Sequence, residues 1–159
     1  MQKAYFDSPI GVLEICGDES GVCELNFVHE FICTEVTDVN LKLCLSELES
    51  YFKGELKTFK TRLNISGTAF QRCIYENLQK IAYGQRVTYA RLAAMTGRPK
   101  AFRAAGSANA KNRIPVIVPC HRVVASNGLG GYSGGKGLAT KIWLLEHEGV
   151  RLDRSAKVL

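Results

Sequence analysis

Two β-rich runs open the chain. Residues 4–15, Ala-Tyr-Phe-Asp-Ser-Pro-Ile-Gly-Val-Leu-Glu-Ile, set them on either side of Ser8-Pro9-Ile10-Gly11, a stretch of turn composition, and predict a hairpin. Residues 21–28 alternate apolar with polar positions and predict a third strand. Leu41, Leu45, Leu48 and Phe52 recur at helical spacing, and Lys53-Gly54 stops that helix. Phe59 to Ser66 reads as one more strand or as a connector. A second beginning follows at Gly67-Thr68. Thr68 and Gln71, three residues on, form a capping box, in which each side chain satisfies a backbone N–H at the helix start. Phe70, Ile74, Leu78 and Ile81 carry an apolar stripe to Tyr83, with Gly84 as the stop. Thr88 is the next N-cap, opening Tyr89 to Met95, and Gly97 and Pro99 mark that helix's end. Lys100 to Asn109 resumes helical composition, so two short helices meet across Thr96-Gly97-Arg98-Pro99 in a helix-turn-helix pattern. Val116 to Val118 is an apolar run entering Pro119, which lacks the N–H of a central ladder position, and predicts a strand that ends or bends there. Leu138, Ile142 and Leu145 give a last helix, closed at Glu148-Gly149.

The pattern is α+β in two parts, a small antiparallel sheet with one helix over residues 1–66 and a helical part over residues 67–159. Charge divides at the same place. Residues 1–66 carry 6 Lys/Arg against 11 Asp/Glu, whereas residues 67–159 carry 15 against 4. A domain with that excess of cations has the electrostatic footprint of a polyanion binder, and nucleic acid is the expected partner. Hydrophobic content of 46% and charged content of 23% are those of an ordinary globular chain. No apolar stretch reaches membrane-spanning length, and the first residues lack the apolar core of a signal peptide, so a cytoplasmic protein with reduced thiols is expected.

Cysteines 16, 23, 33, 44, 73 and 120 are scattered, without a Cys-x-x-Cys pair. Cys16, Cys23 and His29 match no structural zinc spacing and lack an evident fourth ligand, so no metal is expected. Cys120 is different because His121 follows it. The thiolate is the nucleophilic form of cysteine, and a thiol of ordinary pKa near ~8.5 needs a neighbouring base or cation to reach it at neutral pH. Adjacent residues of an extended chain point apart, so the pair works only if the backbone turns sharply at Cys120. A bare Cys-His pair is equally compatible with a buried structural thiol.

The longer run Ile117-Val-Pro-Cys-His-Arg-Val123 resembles the active-site segment of the O6-alkylguanine-DNA alkyltransferases, and the similarity extends over nearly all of residues 67–159 but only loosely over the first 66. The resemblance implies an N-terminal sheet related to the ribonuclease H fold and a winged-helix-like DNA-binding domain. It implies that Cys120 accepts an alkyl group within a relay Glu148–His121–Cys120, in which the acid orients the imidazole and the imidazole takes the thiol proton. Tyr89 matches the tyrosine beside the target nucleotide, whose hydroxyl donates to guanine N3. Asn112 matches the asparagine that braces the turn into the active-site segment; Arg113 stands where many relatives have proline. Arg122 reads as a structural ion-pair donor. Some relatives hold zinc in the N-terminal domain, but their ligand pattern does not recur here.

The helix over residues 100–109 is nearly bare, with Ala101, Ala104, Ala105, Gly106, Ser107 and Ala108 around the long side chain of Arg103. A reader of major-groove base edges would carry outward Asn, Gln and Arg instead. In the family this helix lies in the minor groove, and the residue matching Arg103 takes the place of an extruded base; Ala104 and Gly106 are then backbone-close contacts. Residues 126–137 hold six glycines. This run is expected to close over a flipped base, with Tyr132 stacking on it, Ser133 and Gly134 N–H groups meeting its O6 edge, and Val123 lining the pocket. Lys136-Gly137 looks inserted relative to relatives. The expected protein is thus a direct-reversal DNA repair enzyme, monomeric and cofactor-free. Its partner is duplex DNA containing O6-alkylguanine, with O4-alkylthymine as a second candidate, and each molecule is expected to act once. A Glu148→Gln change is expected to weaken the relay and leave the fold intact. A DNA-binding regulator and a Cys-His-Glu hydrolase are the competing classes; the first leaves Cys120 unexplained, the second the bare helix and the basic half.

Overall fold

In the computed structural model, which describes residues 1–153 and 157–158, two compact units divide at residue 66: Met1–Ser66 and Gly67–Leu159. The first is a three-stranded antiparallel sheet, β1 (Gln2–Ser8), β2 (Gly11–Asp18) and β3 (Gly21–Val28), in that spatial order. Ala4 faces Ile15 and Ile15 faces Leu25 across the ladder, so the alternating side chains Ala4, Leu13, Ile15 and Leu25 bury one face. Helix α1 (Val39–Phe52) covers that face, capped by Asp38, whose carboxylate accepts from the Leu41 N–H at 2.8 Å. Its buried positions are Leu41, Cys44, Leu48 and Tyr51, not the expected Leu45 and Phe52. The stripe is rotated because Tyr51 packs on Phe59 and because Glu47, one turn earlier, must point inward. The buried Glu47 carboxylate accepts from the N–H groups of Lys60 and Thr61 and from the Thr61 hydroxyl. Residues 59–66 are therefore a pinned connector, with one parallel bridge between Val22 and Leu63, and not a full strand. At Gly21, a Cβ would lie 2.8 Å from the Arg62 carbonyl oxygen.

The second unit is helical. The Thr68–Gln71 capping box opens α2 (Ala69–Leu78), which stops at Leu78 rather than running to Tyr83; Ile81 is still buried, but on a turn. Thr88 caps α3 (Tyr89–Met95), its hydroxyl accepting from the Arg91 N–H at 3.1 Å. Gly97, at φ +81°, turns the chain into α4 (Phe102–Ala110), so the helix-turn-helix pattern is realised as α3 and α4. Two-residue strands β4 (Val87–Thr88) and β5 (Val123–Val124) pair in parallel and hold the segment after Cys120 beside the start of α3. The last helix, α5 (Leu138–His147), buries Thr140, Lys141, Leu144 and Leu145, whereas Leu138 is exposed, so the expected apolar stripe begins a turn late. Leu145 joins Val124, Leu129 and Val150 in a core.

Candidate active site

No strand forms at Val116 to Val118. The segment is a series of turns: Val118 N–H donates to the Ile114 carbonyl at 2.9 Å, and Val116 sits at φ +73°. A β-branched residue there stores strain on the order of 1–3 kcal/mol, held in place by the packing around it. The apolar run entering Pro119 looks like a strand in sequence, but Pro115 and Pro119 at its two ends both lack the N–H a ladder needs. Cys120 N–H then donates to Val118 O at 2.8 Å, and Cys120–Arg122 form a single 3-10 turn. That is the sharp bend expected at Cys120, but it does not join the pair by a hydrogen bond: His121 Nδ1 has no partner among the described residues.

Asn112 holds this turn at two points. Its side-chain amide donates to Val118 O at 2.7 Å, and its carbonyl oxygen accepts from the Ile114 N–H at 3.0 Å. Asn109, buried on α4, donates to the Cys120 carbonyl at 3.3 Å and was not marked by the sequence pattern. The thiol itself is buried. Burial pushes it above the ordinary thiol range, while the Asn112 amide, the Lys141 charge and the backbone N–H groups of Cys120 and His121 pull it back.

His121 is fully enclosed, and its Nε2 lies 2.8 Å from Glu148 Oε2. Burial pushes the imidazole below its ordinary 6.5 despite the carboxylate beside it, which favours the neutral ring. Glu148 caps α5 at its C-terminus and is buried. Burial works against its charge, but His121 and the Arg122 guanidinium hold the carboxyl well below the usual range. Arg122 meets it with two bonds, Nε to Oε1 at 2.8 Å and Nη2 to Oε2 at 3.0 Å, and donates Nη1 to Ile81 O at 2.7 Å. A neutral imidazole facing a carboxylate places its proton on Nε2. Nδ1 is then an unprotonated acceptor, and it has no hydrogen-bond partner among the described residues.

Tyr89 stands at the first position of α3, with its ring against α4 and the glycine-rich loop. A Cβ on Gly106 would touch the ring at 3.5 Å, and one on Gly130 would lie 2.8 Å from its Cε2 and overlap the hydroxyl. Gly130 is at φ +73°, and Tyr89 Oη accepts from the Gly131 N–H at 3.3 Å. Only glycine satisfies both the angle and the approach. Tyr132 follows with its hydroxyl shut away and without a hydrogen-bond partner among the described residues. Burial raises it well above the ordinary value, and a charge on Cys120 would raise it further. Ser133 is exposed and Gly134 half-buried. Val123, expected to line a base pocket, is wholly buried, and its carbonyl is occupied. Arg103 and Ala104 lie on the exposed face of α4, away from its buried residues Ala105, Ala108 and Asn109.

The occupant of the Val123 carbonyl is Lys141, which sequence reasoning passed over. Its side chain is completely buried, and Nζ donates to Val123 O and Leu129 O, each at 2.6 Å, and to Gly131 O at 3.0 Å. Burial lowers the ammonium from its ordinary 10.5 to about 8, and the nearby Cys120 pulls it back up. One cation therefore ties the segment after Cys120 to the glycine-rich loop. The available signal was a lysine between Thr140 and Ile142, on the inward side of an otherwise apolar helix.

The family models account for both units: "6-O-methylguanine DNA methyltransferase, ribonuclease-like domain" over residues 1–65 and "6-O-methylguanine DNA methyltransferase, DNA binding domain" over residues 69–150. The chain belongs to the 6-O-methylguanine DNA methyltransferase family. It is 43% identical over 156 residues to the methylated-DNA–protein-cysteine methyltransferase of Methanosarcina acetivorans, covering 94% of this chain and 99% of that protein. Against the constitutive enzyme of the same name from Bacillus subtilis it is 45% identical over 140 residues, covering 82% and 85%. The crystal structure of Mycobacterium tuberculosis OGT in complex with DNA superposes with a TM-score of 0.82 at 37% identity, covering 93% of this chain and 92% of that one. Family membership makes the chain a methylated-DNA–protein-cysteine methyltransferase of DNA repair and fixes the α+β architecture, with the small sheet first and the helical part second.

Proposed function

We propose that the protein repairs O6-alkylguanine in duplex DNA by drawing the nucleotide out through the minor groove and moving its alkyl group irreversibly to Cys120. The observation that carries this reading is the geometry of His121: enclosed, pinned through Nε2 to Glu148, and with an Nδ1 that has no hydrogen-bond partner among the described residues, next in sequence to a buried thiol. The thiol proton passes to Nδ1, directly or through one water, since no direct bond joins the two groups at rest. The thiolate attacks the alkyl carbon, the carbon–O6 bond breaks, and guanine leaves with the electron pair. Tyr89 donates toward the leaving base, and the enclosed Tyr132 hydroxyl gains a partner when the base enters. Arg103 fills the vacated stack, while Ala104 and Gly106 let α4 approach the backbone. The Mycobacterium tuberculosis relative in complex with DNA supports DNA as the partner.

The product is a thioether. It has no carbonyl for water to attack and a poor leaving group, so each molecule reacts once. The experiment is intact-mass analysis after incubation with O6-methylguanine duplex in excess. The expected result is one added methyl, mapped to Cys120, with product levelling at one equivalent of protein. A steady rate beyond that plateau would point to a Cys-His-Glu hydrolase, and an unmodified Cys120 would remove the acceptor.

A further inference from the structure

Phe102 plays no part in the site described above. It is the first residue of α4 and 47% exposed. Among the described residues of the second unit, Leu138 is the other large hydrophobic so exposed. The rest of the outward face of α4 is Arg103, Ala104, Ser107 and Ala110, three of them small. A half-exposed ring on a smooth helix, in a unit with 15 Lys/Arg against 4 Asp/Glu, is apolar surface without a partner in the free protein.

Helical geometry gives it an address. At 100° per residue, Phe102 falls on the same side of α4 as Gly106, one turn later, and Gly106 is where the Tyr89 ring rests. The two aromatic rings therefore flank one edge of the face that carries Arg103. Withdrawing a nucleotide strips stacking from its neighbours, and the opened step presents apolar base faces. A planar cation fills the hole, but an apolar ring is what covers an unstacked base, and wedges of this kind recur in minor-groove proteins.

We propose that Phe102 is a second wedge at the DNA interface, its ring packing on the base step next to the vacated position, along the edge of α4 that holds Tyr89. The inference rests on the reading that α4 enters the minor groove, and it extends that reading to Phe102. A consequence is context dependence: the wedge matters least where the neighbouring step is a flexible pyrimidine–purine step and most where it is stiff.

The test uses the full chain and O6-methylguanine duplexes with 2-aminopurine placed on one side or the other of the lesion. The Cys120→Ala background reports binding emission, and the unmodified background reports single-turnover transfer. Phe102→Ala is expected to lose the emission rise at one of the two neighbours and to slow duplex transfer about ten-fold. Its reaction with free O6-methylguanine base should stay within about two-fold, which also certifies the fold. Phe102→Trp should restore both signals. Equal emission and equal duplex rate in Phe102→Ala would overturn the proposal, and so would parallel losses on duplex and free base, which mark a packing residue. Arg103→Ala, run alongside, separates the two levels. If it impairs duplex repair while Phe102→Ala does not, the wedge fails alone; if neither does, the minor-groove reading of α4 fails with it.

Discussion

Glu148 carries two obligations at once: it orients His121 through Oε2, and it neutralises the buried Arg122 through both oxygens. The second was invisible in the sequence, where Glu148→Gln looks like a mild change to a relay. In the fold it leaves a buried guanidinium without its counter-charge, so the expected loss of stability is about 3–5 kcal/mol, along with slower transfer. Thermal melts of the variant check this, and an unchanged Tm would contradict the buried pair. The same residues set the acid limit. His121 is held below 6.5 and Glu148 below 4.5 in the folded state, so as pH falls through each value the unfolded chain takes a proton that the native site resists. Bound protons then favour unfolding, and stability should decline from about pH 6.5 downward and more steeply below about 4.5. A Tm that is flat between neutral pH and 4.5 would mean His121 is charged in the fold. Cys120 makes a complementary prediction. Its thiol is buried and raised, whereas Cys33 is exposed, so iodoacetamide on the native protein should label Cys33 at least about ten-fold faster, as peptide mapping would show. Preferential labelling of Cys120 would mean that the resting thiolate is already formed.

At the scale of elements, the site is assembled by short pieces that secondary structure alone would not bring together. The strained turn at Val116, the 3-10 turn at Cys120 and the glycine-rich loop have few backbone bonds of their own. Asn112 holds the first two, and Lys141 ties the segment after them to the loop. Lys141→Met should therefore leave three carbonyls without a donor and destabilise the protein by about 2–5 kcal/mol, most of it felt in residues 129–131. Hydrogen exchange at Gly131 and proteolysis of the loop are the readouts. Faster exchange there with the α2 amides protected as before is the expected pattern; uniform loosening of the whole unit would show Lys141 to be a core residue and no clamp.

At the scale of the whole molecule, charge is segregated: the first unit is acidic and the second strongly basic. Affinity for duplex DNA should accordingly fall steeply with salt and vary little with sequence outside the lesion, because it arises from phosphate neutralisation. Titrations of unmodified duplexes at several ionic strengths measure the slope, and a strong preference for one undamaged sequence would instead mark a regulator. Among the described residues no helix is long and apolar enough to cross a membrane.

Periodicity and local chemistry determined a good deal unaided. The three strands, the capped starts of α2 and α3, the helix-turn-helix and the Cys-His pair all depend on neighbours within a few residues, and such neighbours are written in order along the chain. The small residues of α4 around Arg103 were legible for the same reason, whereas the exposed ring of Phe102 beside them was not marked. What only the tertiary structure decided depends on groups far apart in sequence. The apolar run before Pro119 became strained turns because Asn112 and buried packing outbid local strand propensity. The stripe of α1 rotated because a carboxylate had to reach the connector at Lys60 and Thr61. Lys141 looked like any surface lysine until three carbonyls from two loops converged on it. The protonation of His121 is the clearest case. A histidine beside a cysteine can be charged or neutral, and either nitrogen can hold the proton. Burial and a carboxylate 27 positions away favour the neutral ring with its proton on Nε2, and neither is visible in a Cys-His dipeptide.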